Sequence, residues 1–137
     1  MRYLLLFVSL ILLGACAAPL PARDPGMAWV DLYTPASDVL MADELDGKRL
    51  NDGRYSQVTP GAHELIARFQ FEVHGGGSLM SEPMQRTCEI RLRYDGFSAG
   101  QRYRVEARPL VMSAQAWLYD EQRNVLARGK VLRCGTF

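Results

Sequence analysis

The chain has 137 residues, 48% of them apolar and 23% charged, with a formal net charge of +1. That length suits one domain with a core large enough to fold unaided, and near-neutrality argues against nucleic acid as a bulk partner. Two histidines and three cysteines supply too few clustered ligands for a metal centre, and no cofactor motif is present.

The chain opens with Arg2, then Leu4 to Leu13, apolar throughout except for Ser9, then Gly14-Ala15-Cys16. Charge, short apolar core and small residues are the layout of a secretory signal over residues 1–15. The apolar run is well short of the roughly 20 residues a membrane-spanning helix needs. Leu13-Gly14-Ala15-Cys16 resembles the lipobox of bacterial lipoproteins. That resemblance implies a diacylglyceryl group on the Cys16 thiol, cleavage just before it, and attachment to a membrane through the two or three acyl chains such proteins carry. An ordinary cleaved signal is the alternative. Ala17 stands where aspartate retains many Gram-negative lipoproteins in the inner membrane, so the resemblance further implies the outer membrane, facing the periplasm, in a Gram-negative host.

Residues 16–26 contain Pro19, Pro21 and Pro25 and show no hydrophobic period. They read as a stiff tether spanning up to about 30 Å, which would lift the domain, residues 27–137, clear of the lipid. Charge divides unevenly: residues 17–72 carry five basic and nine acidic side chains, residues 73–137 ten and six. With Cys16 acylated, Cys88 and Cys134 remain. In an oxidising compartment they are expected to form one disulfide, free buried thiols or intermolecular pairing being the alternatives.

Within the domain the dominant period is two. Strands are expected at Ala28–Tyr33, Val39–Leu45, Tyr55–Val58, His63–Val73, Arg86–Asp95, Gln101–Arg108, Ser113–Tyr119 and Val125–Cys134. The alternation is clearest where Cys88, Ile90, Leu92 and Tyr94 interleave with Glu89, Arg91, Arg93 and Asp95. One-sided alternation belongs to antiparallel sheets with one face in a core and one in water. Turn signals separate the runs: Asn51-Asp52-Gly53, Pro60-Gly61, Asp95-Gly96, Ala99-Gly100 and Asp120–Asn124. The expected fold class is all-β, an antiparallel β-sandwich of about seven or eight strands. Phe97 to Tyr103 has the look of a tyrosine corner, and Gly75 to Met84 reads as a long, flexible loop.

Asp46-Gly47-Lys48, Tyr55 and Val58-Thr59-Pro60-Gly61-Ala62-His63-Glu64-Leu65 are similar to the PEGA-type repeat of bacterial envelope proteins. The resemblance spans residues 30–73, without the PEGA tetrapeptide itself, and implies a small transthyretin-like β-domain with no catalytic residues to transfer. The residues themselves agree. His63 and His74 have no evident partner for acid–base or nucleophilic work, and Ser78 and Ser81 lack a nucleophile-elbow sequence. Asp43, Glu44, Asp46 and Asp52 do not meet the spacing of a calcium loop. The sharpest surface feature is Arg91, Arg93, Arg102, Arg104 and Arg108: if their strands pair, five guanidinium groups share one face able to grip phosphate or carboxylate, against the plainer reading of a salt-bridged surface. The expected function is a non-enzymatic interaction or accessory module of the cell envelope, anchored by lipid on Cys16 and meeting an envelope protein partner. A ligand-capture or inhibitor module using the arginine face or the 75–84 loop is the second reading.

Overall fold

The computed structural model describes residues 18–74 and 82–137. Alternating inward and outward side chains give ten strands among them and no helix: β1 (Ala28–Tyr33), β2 (Val39–Leu45), β3 (Lys48–Arg49), β4 (Tyr55–Val58), β5 (Gly61–Val73), β6 (Met84–Phe97), β7 (Arg102–Leu110), β8 (Ser113–Tyr119), β9 (Val125–Arg128) and β10 (Lys130–Gly135). They form two five-stranded sheets, β4-β1-β7-β8-β9 and β10-β6-β5-β2-β3, face to face as an all-β sandwich. Phe69, Phe71, Cys88, Ile90 and Leu92 from one sheet meet Val30, Val58, Val105 and Leu118 from the other in the core. Every strand pair is antiparallel except β1 with β7, which run parallel with Trp29 opposite Arg102.

Three local features govern how the chain moves between the sheets. Asp46 and Gly47 both take positive φ (50° and 80°), the conformation of the tight β2–β3 turn, which an Asp-Gly pair accepts readily. At the β6–β7 crossing the Tyr103 hydroxyl accepts a hydrogen bond from the Ser98 backbone N–H (2.9 Å), the expected tyrosine corner. The stretch Val125–Cys134 is not one strand. It divides at Gly129, where β9 leaves the first sheet and β10 joins the second. A Cβ at Gly129 would lie 2.6 Å from Ile90 Cγ2 and 3.0 Å from Ala116 Cβ, so only glycine lets the chain cross there.

β10 lies against β6 with Cys134 opposite Cys88, and the two form a disulfide with a Cα–Cα distance of 4.1 Å. A bulge between Val131 and Arg133 turns both Val131 and Cys134 toward the core. Residues 18–26 do not stand free as a tether would. They lie along β4: Gln57 Oε1 accepts the Asp24 N–H (3.0 Å) and an Arg54 Nη1–H is donated to the Ala18 carbonyl (2.9 Å). The Arg54 guanidinium is itself held by Asp52, whose carboxyl it keeps down at about 2.

Candidate functional site

Chemistry-bearing side chains gather on the outer face of the β4-β1-β7-β8-β9 sheet. Along β1, Ala28, Val30 and Leu32 face the core, which sends Trp29, Asp31 and Tyr33 outward. β8 repeats the pattern, with Ala114, Ala116 and Leu118 inward and Trp117 and Tyr119 outward. Tyr55 of β4 stacks on Trp29 with ring centroids 4.5 Å apart and planes 5° from parallel. The guanidinium groups interleave with these rings, Arg104 over Tyr33 (5.0 Å), Arg108 over Trp117 (5.8 Å) and Arg123 over Tyr119 (4.7 Å).

Two carboxylates organise the face. Glu106 points outward from β7 yet is only 5% exposed, because the neighbouring side chains close over it. Arg123 grips it bidentately, Nη1 to Oε1 at 3.1 Å and Nη2 to Oε2 at 3.0 Å, with Arg104 Nη1 at 3.8 Å. Those hydrogen bonds from Arg123 outweigh the opposing effect of burial and hold the Glu106 carboxyl below the usual range. Asp31 accepts from the Trp29 indole N–H (2.7 Å) and from Arg102 Nε. Burial pushes its carboxyl up, but hydrogen bonds from Arg102 and Trp29 and the nearby positive charges win, and the net shift is downward. Beside this network a hollow of about 390 Å³ is lined by Asp31, Arg102, Arg104, Tyr119, Asp120 and Arg123. It offers aromatic stacking and bidentate hydrogen bonding, the chemistry of recognition.

The expected single arginine face does not form. β6 and β7 belong to different sheets, because the chain between Phe97 and Arg102 crosses the sandwich instead of folding back as a hairpin. Arg91 and Arg93 therefore lie on the outer face of one sheet, and Arg102, Arg104 and Arg108 on the opposite side of the molecule. Arg93 pairs with Glu64, and its sheet also carries Arg68–Asp43 and Arg133–Glu89, exposed pairs that contribute little stability.

The acidic residues around the β2–β3 turn disperse into separate pairings, Asp43 with Arg49 and Arg68, Asp46 with His63, and Asp52 with Arg54. Among the described residues no three His, Cys, Asp or Glu side chains gather as a metal ligand set. His63 works as a staple: Nδ1 meets Asp46 Oδ2 at 2.5 Å and Nε2 meets the Thr59 carbonyl at 2.7 Å. The Glu64 N–H donated to Asp46 Oδ1, followed by the His63 contact, lowers the Asp46 carboxyl. Asp46, Thr59 and His63, which carried the PEGA-type resemblance, thus meet in space. Cys16 lies outside the described residues, as do residues 75–81 of the expected loop; Glu82, Pro83 and Met84 are exposed.

Trp29, Asp31, Tyr33, Trp117, Tyr119 and Arg123 were not singled out from sequence. The signal was there in the parity of the aromatic residues: in strands with an unambiguous apolar side they occupy the other side, although Trp29 is itself covered there. No family model matches the chain, and no curated protein or solved structure matches it significantly.

Proposed function

We propose that this chain is a lipid-anchored envelope protein whose sandwich acts as a non-enzymatic interaction module, docking a protein partner on the outer face of the β4-β1-β7-β8-β9 sheet. The observation that carries the docking reading is the outward row of Tyr55, Tyr33, Trp117 and Tyr119 interleaved with arginines, with Trp29 buried beneath Tyr55 at 5% exposed. Trp, Tyr and Arg are the residues enriched at interface hot spots, and the solvent face of a sheet ordinarily carries polar and charged groups, as the other sheet's does. The anchoring reading draws on the lipobox-like Leu13-Gly14-Ala15-Cys16 and on cysteine count. The Cys88–Cys134 disulfide is of the kind kept in oxidising compartments, and it leaves Cys16 as the one cysteine outside it. With Ala17 after the cysteine, the outer membrane is the proposed site and the periplasm the proposed compartment.

Cross-linking in living cells, followed by mass spectrometry of what is captured, tests both parts. One dominant protein captured by the native chain, and lost from both Cys16→Ala and a Tyr33→Ala/Arg104→Ala variant, is the expected result. Capture that ignores the Tyr33/Arg104 variant would refute the docking face. Co-purifying glycan or phospholipid with no protein partner would favour ligand capture instead. Metabolic palmitate labelling that survives Cys16→Ala would refute the anchor.

A further inference from the structure

The two ends of the sandwich differ in character. Among the described residues, one end carries Asp46, Lys48 and the β8–β9 turn Asp120–Asn124, with Val125 the exposed apolar side chain beside that turn. At the other, β7 turns into β8 through Leu110, Val111 and Met112, three consecutive exposed apolar residues, with Val111 82% exposed. Val39 and Met84 are exposed at the same end, whereas the Phe137 ring folds back over Arg133. The registers place Val39 and Met84 there: Val39 opposite Gln70, Gln70 opposite Thr87, and Met84 opposite Val73. Arg86 of β6 donates to the Met112 carbonyl, tying that strand's start to the turn.

Val111 also has φ of 54°. A β-branched residue in the left-handed region is a genuine outlier, and strain held at an exposed position marks sites where the side chain serves a purpose other than folding. Glycine or asparagine would make this turn at lower cost, yet the chain places an exposed valine there.

The N-terminal segment heads toward this apolar end. Asp24 is fixed at Gln57, which lies opposite Trp29, and Ala18 at Arg54, one residue beyond Tyr55, which lies opposite Asp31. Residues 24 to 18 thus run toward the Tyr33 end of β1, where β7 continues from Glu106 to the turn at Leu110. From the level of Arg104, which pairs with Asp31, to Leu110 is about 20 Å of strand, and Cys16 stands two positions before Ala18 in the chain. A lipid on Cys16 would bring this end, and not the opposite one, to the bilayer.

We propose that the apolar end of the sandwich, led by Leu110-Val111-Met112, rests in the headgroup layer of the membrane to which Cys16 anchors the chain. The inference builds on the anchoring reading and adds an orientation to it: the domain stands end-on, and the aromatic–arginine face is presented sideways. Arg86 and Arg108 share the end with Asp38, Glu72 and Glu82, so the charges are mixed. The contact is apolar and insensitive to salt, unlike binding through a basic patch.

The test uses the full chain, matured in bacteria and reconstituted with its own lipid in vesicles of phosphatidylethanolamine and phosphatidylglycerol. A polarity-sensitive thiol dye is placed by Val111→Cys or, at the opposite end, by Gln122→Cys. The dye at 111 is expected to be quenched by brominated lipid and to be shielded from aqueous iodide about threefold or more relative to 122, as a group seated in the headgroup layer would be. Equal iodide access at both positions, in a chain that floats with the vesicles, overturns the orientation and leaves the anchor standing. A chain that carries no lipid and does not float overturns the anchor and the orientation together. Shielding at 111 that appears without vesicles and grows with protein concentration assigns the apolar end to a second copy of the chain, and also overturns the proposal. Because a dye at 111 adds apolar surface of its own, Val111→Asp is the companion variant. With the dye moved to Met112→Cys, it should restore iodide access; unchanged shielding would count against insertion.

Discussion

Ser56, Glu106 and Val111 each sit at odds with their surroundings, and each makes a distinct prediction. Ser56 Oγ is buried and, among the described residues, has no hydrogen-bond partner. A hydroxyl so placed is destabilising, so Ser56→Ala should leave stability unchanged or raise it by up to about 1 kcal/mol in urea unfolding; a clear loss would mean that the hydroxyl is satisfied in solution. Glu106 depends on Arg123, and Arg123→Ala should cost about 1–3 kcal/mol, because it strips a buried carboxylate of both its hydrogen bonds and leaves only the Arg104 contact. Val111→Gly should raise the unfolding midpoint by relieving the left-handed conformation, a gain of about 1 kcal/mol, while removing side chain from the apolar end. None of these three positions could be found by periodicity. Glu106 has the parity of a water-facing residue and is covered only because Arg123, brought round by the β8–β9 turn, folds over it.

At the level of the strand, much could be read directly and the failures share one cause. Alternation located the strands because a residue's side of the pleat is a local property, and Tyr103 could be recognised as a corner residue because its hydrogen bond reaches back only to Ser98. Which strands pair is a non-local property, and there the reading of a shared arginine face failed: Arg93 and Arg102 are close in sequence, but the corner between them carries the chain from one sheet to the other. The same blindness joined β9 to β10. Gly129 carries no side chain, so nothing in the hydrophobic pattern marks the crossing; its meaning lies in Ile90 and Ala116, which leave no room for a Cβ. Gly129→Ala should therefore destabilise by about 1–3 kcal/mol through crowding, whereas alanine at Gly47, where a Cβ meets nothing, should cost about 1–2 kcal/mol through the left-handed φ alone. Thermal unfolding of the two variants side by side measures both costs.

Over the whole molecule, acid should be the weak side. Asp31, Asp46, Glu89 and Glu106 are all shifted downward by the partners that hold them. A carboxylate whose folded value is depressed contributes fully above its unfolded value, about pH 4, and loses that contribution as pH falls through the folded value. Unfolding midpoints should therefore show little change from these groups between neutral pH and about 5, then drop below about 4; Glu106→Gln should remove part of that drop, and a midpoint that held steady to pH 3 would contradict the assignment. The Cys88–Cys134 disulfide closes a sequence separation of 46, and reducing it should lower stability by roughly 4 kcal/mol. The pairing of these cysteines was expected once the resemblance had set Cys16 aside, whereas the candidate interface required the order β4-β1-β7-β8 to be known before its aromatic residues lay side by side.

The parallel pairing of β1 with β7 has a consequence for the order of events in the cell. β1 is an interior strand of its sheet, yet its second neighbour begins at Arg102, and nothing nearer in the chain takes that place. As the polypeptide emerges from a ribosome or a translocation pore, β1 appears first and must remain half-paired until β7 follows, with Trp29, Val30 and Leu32 exposed in the meantime. Distant pairings of this kind are slow to form, and the waiting strand is a target for wrong partners. A chain built this way closes in a late step, and it would gain from a chaperone that holds β1 until β7 has arrived.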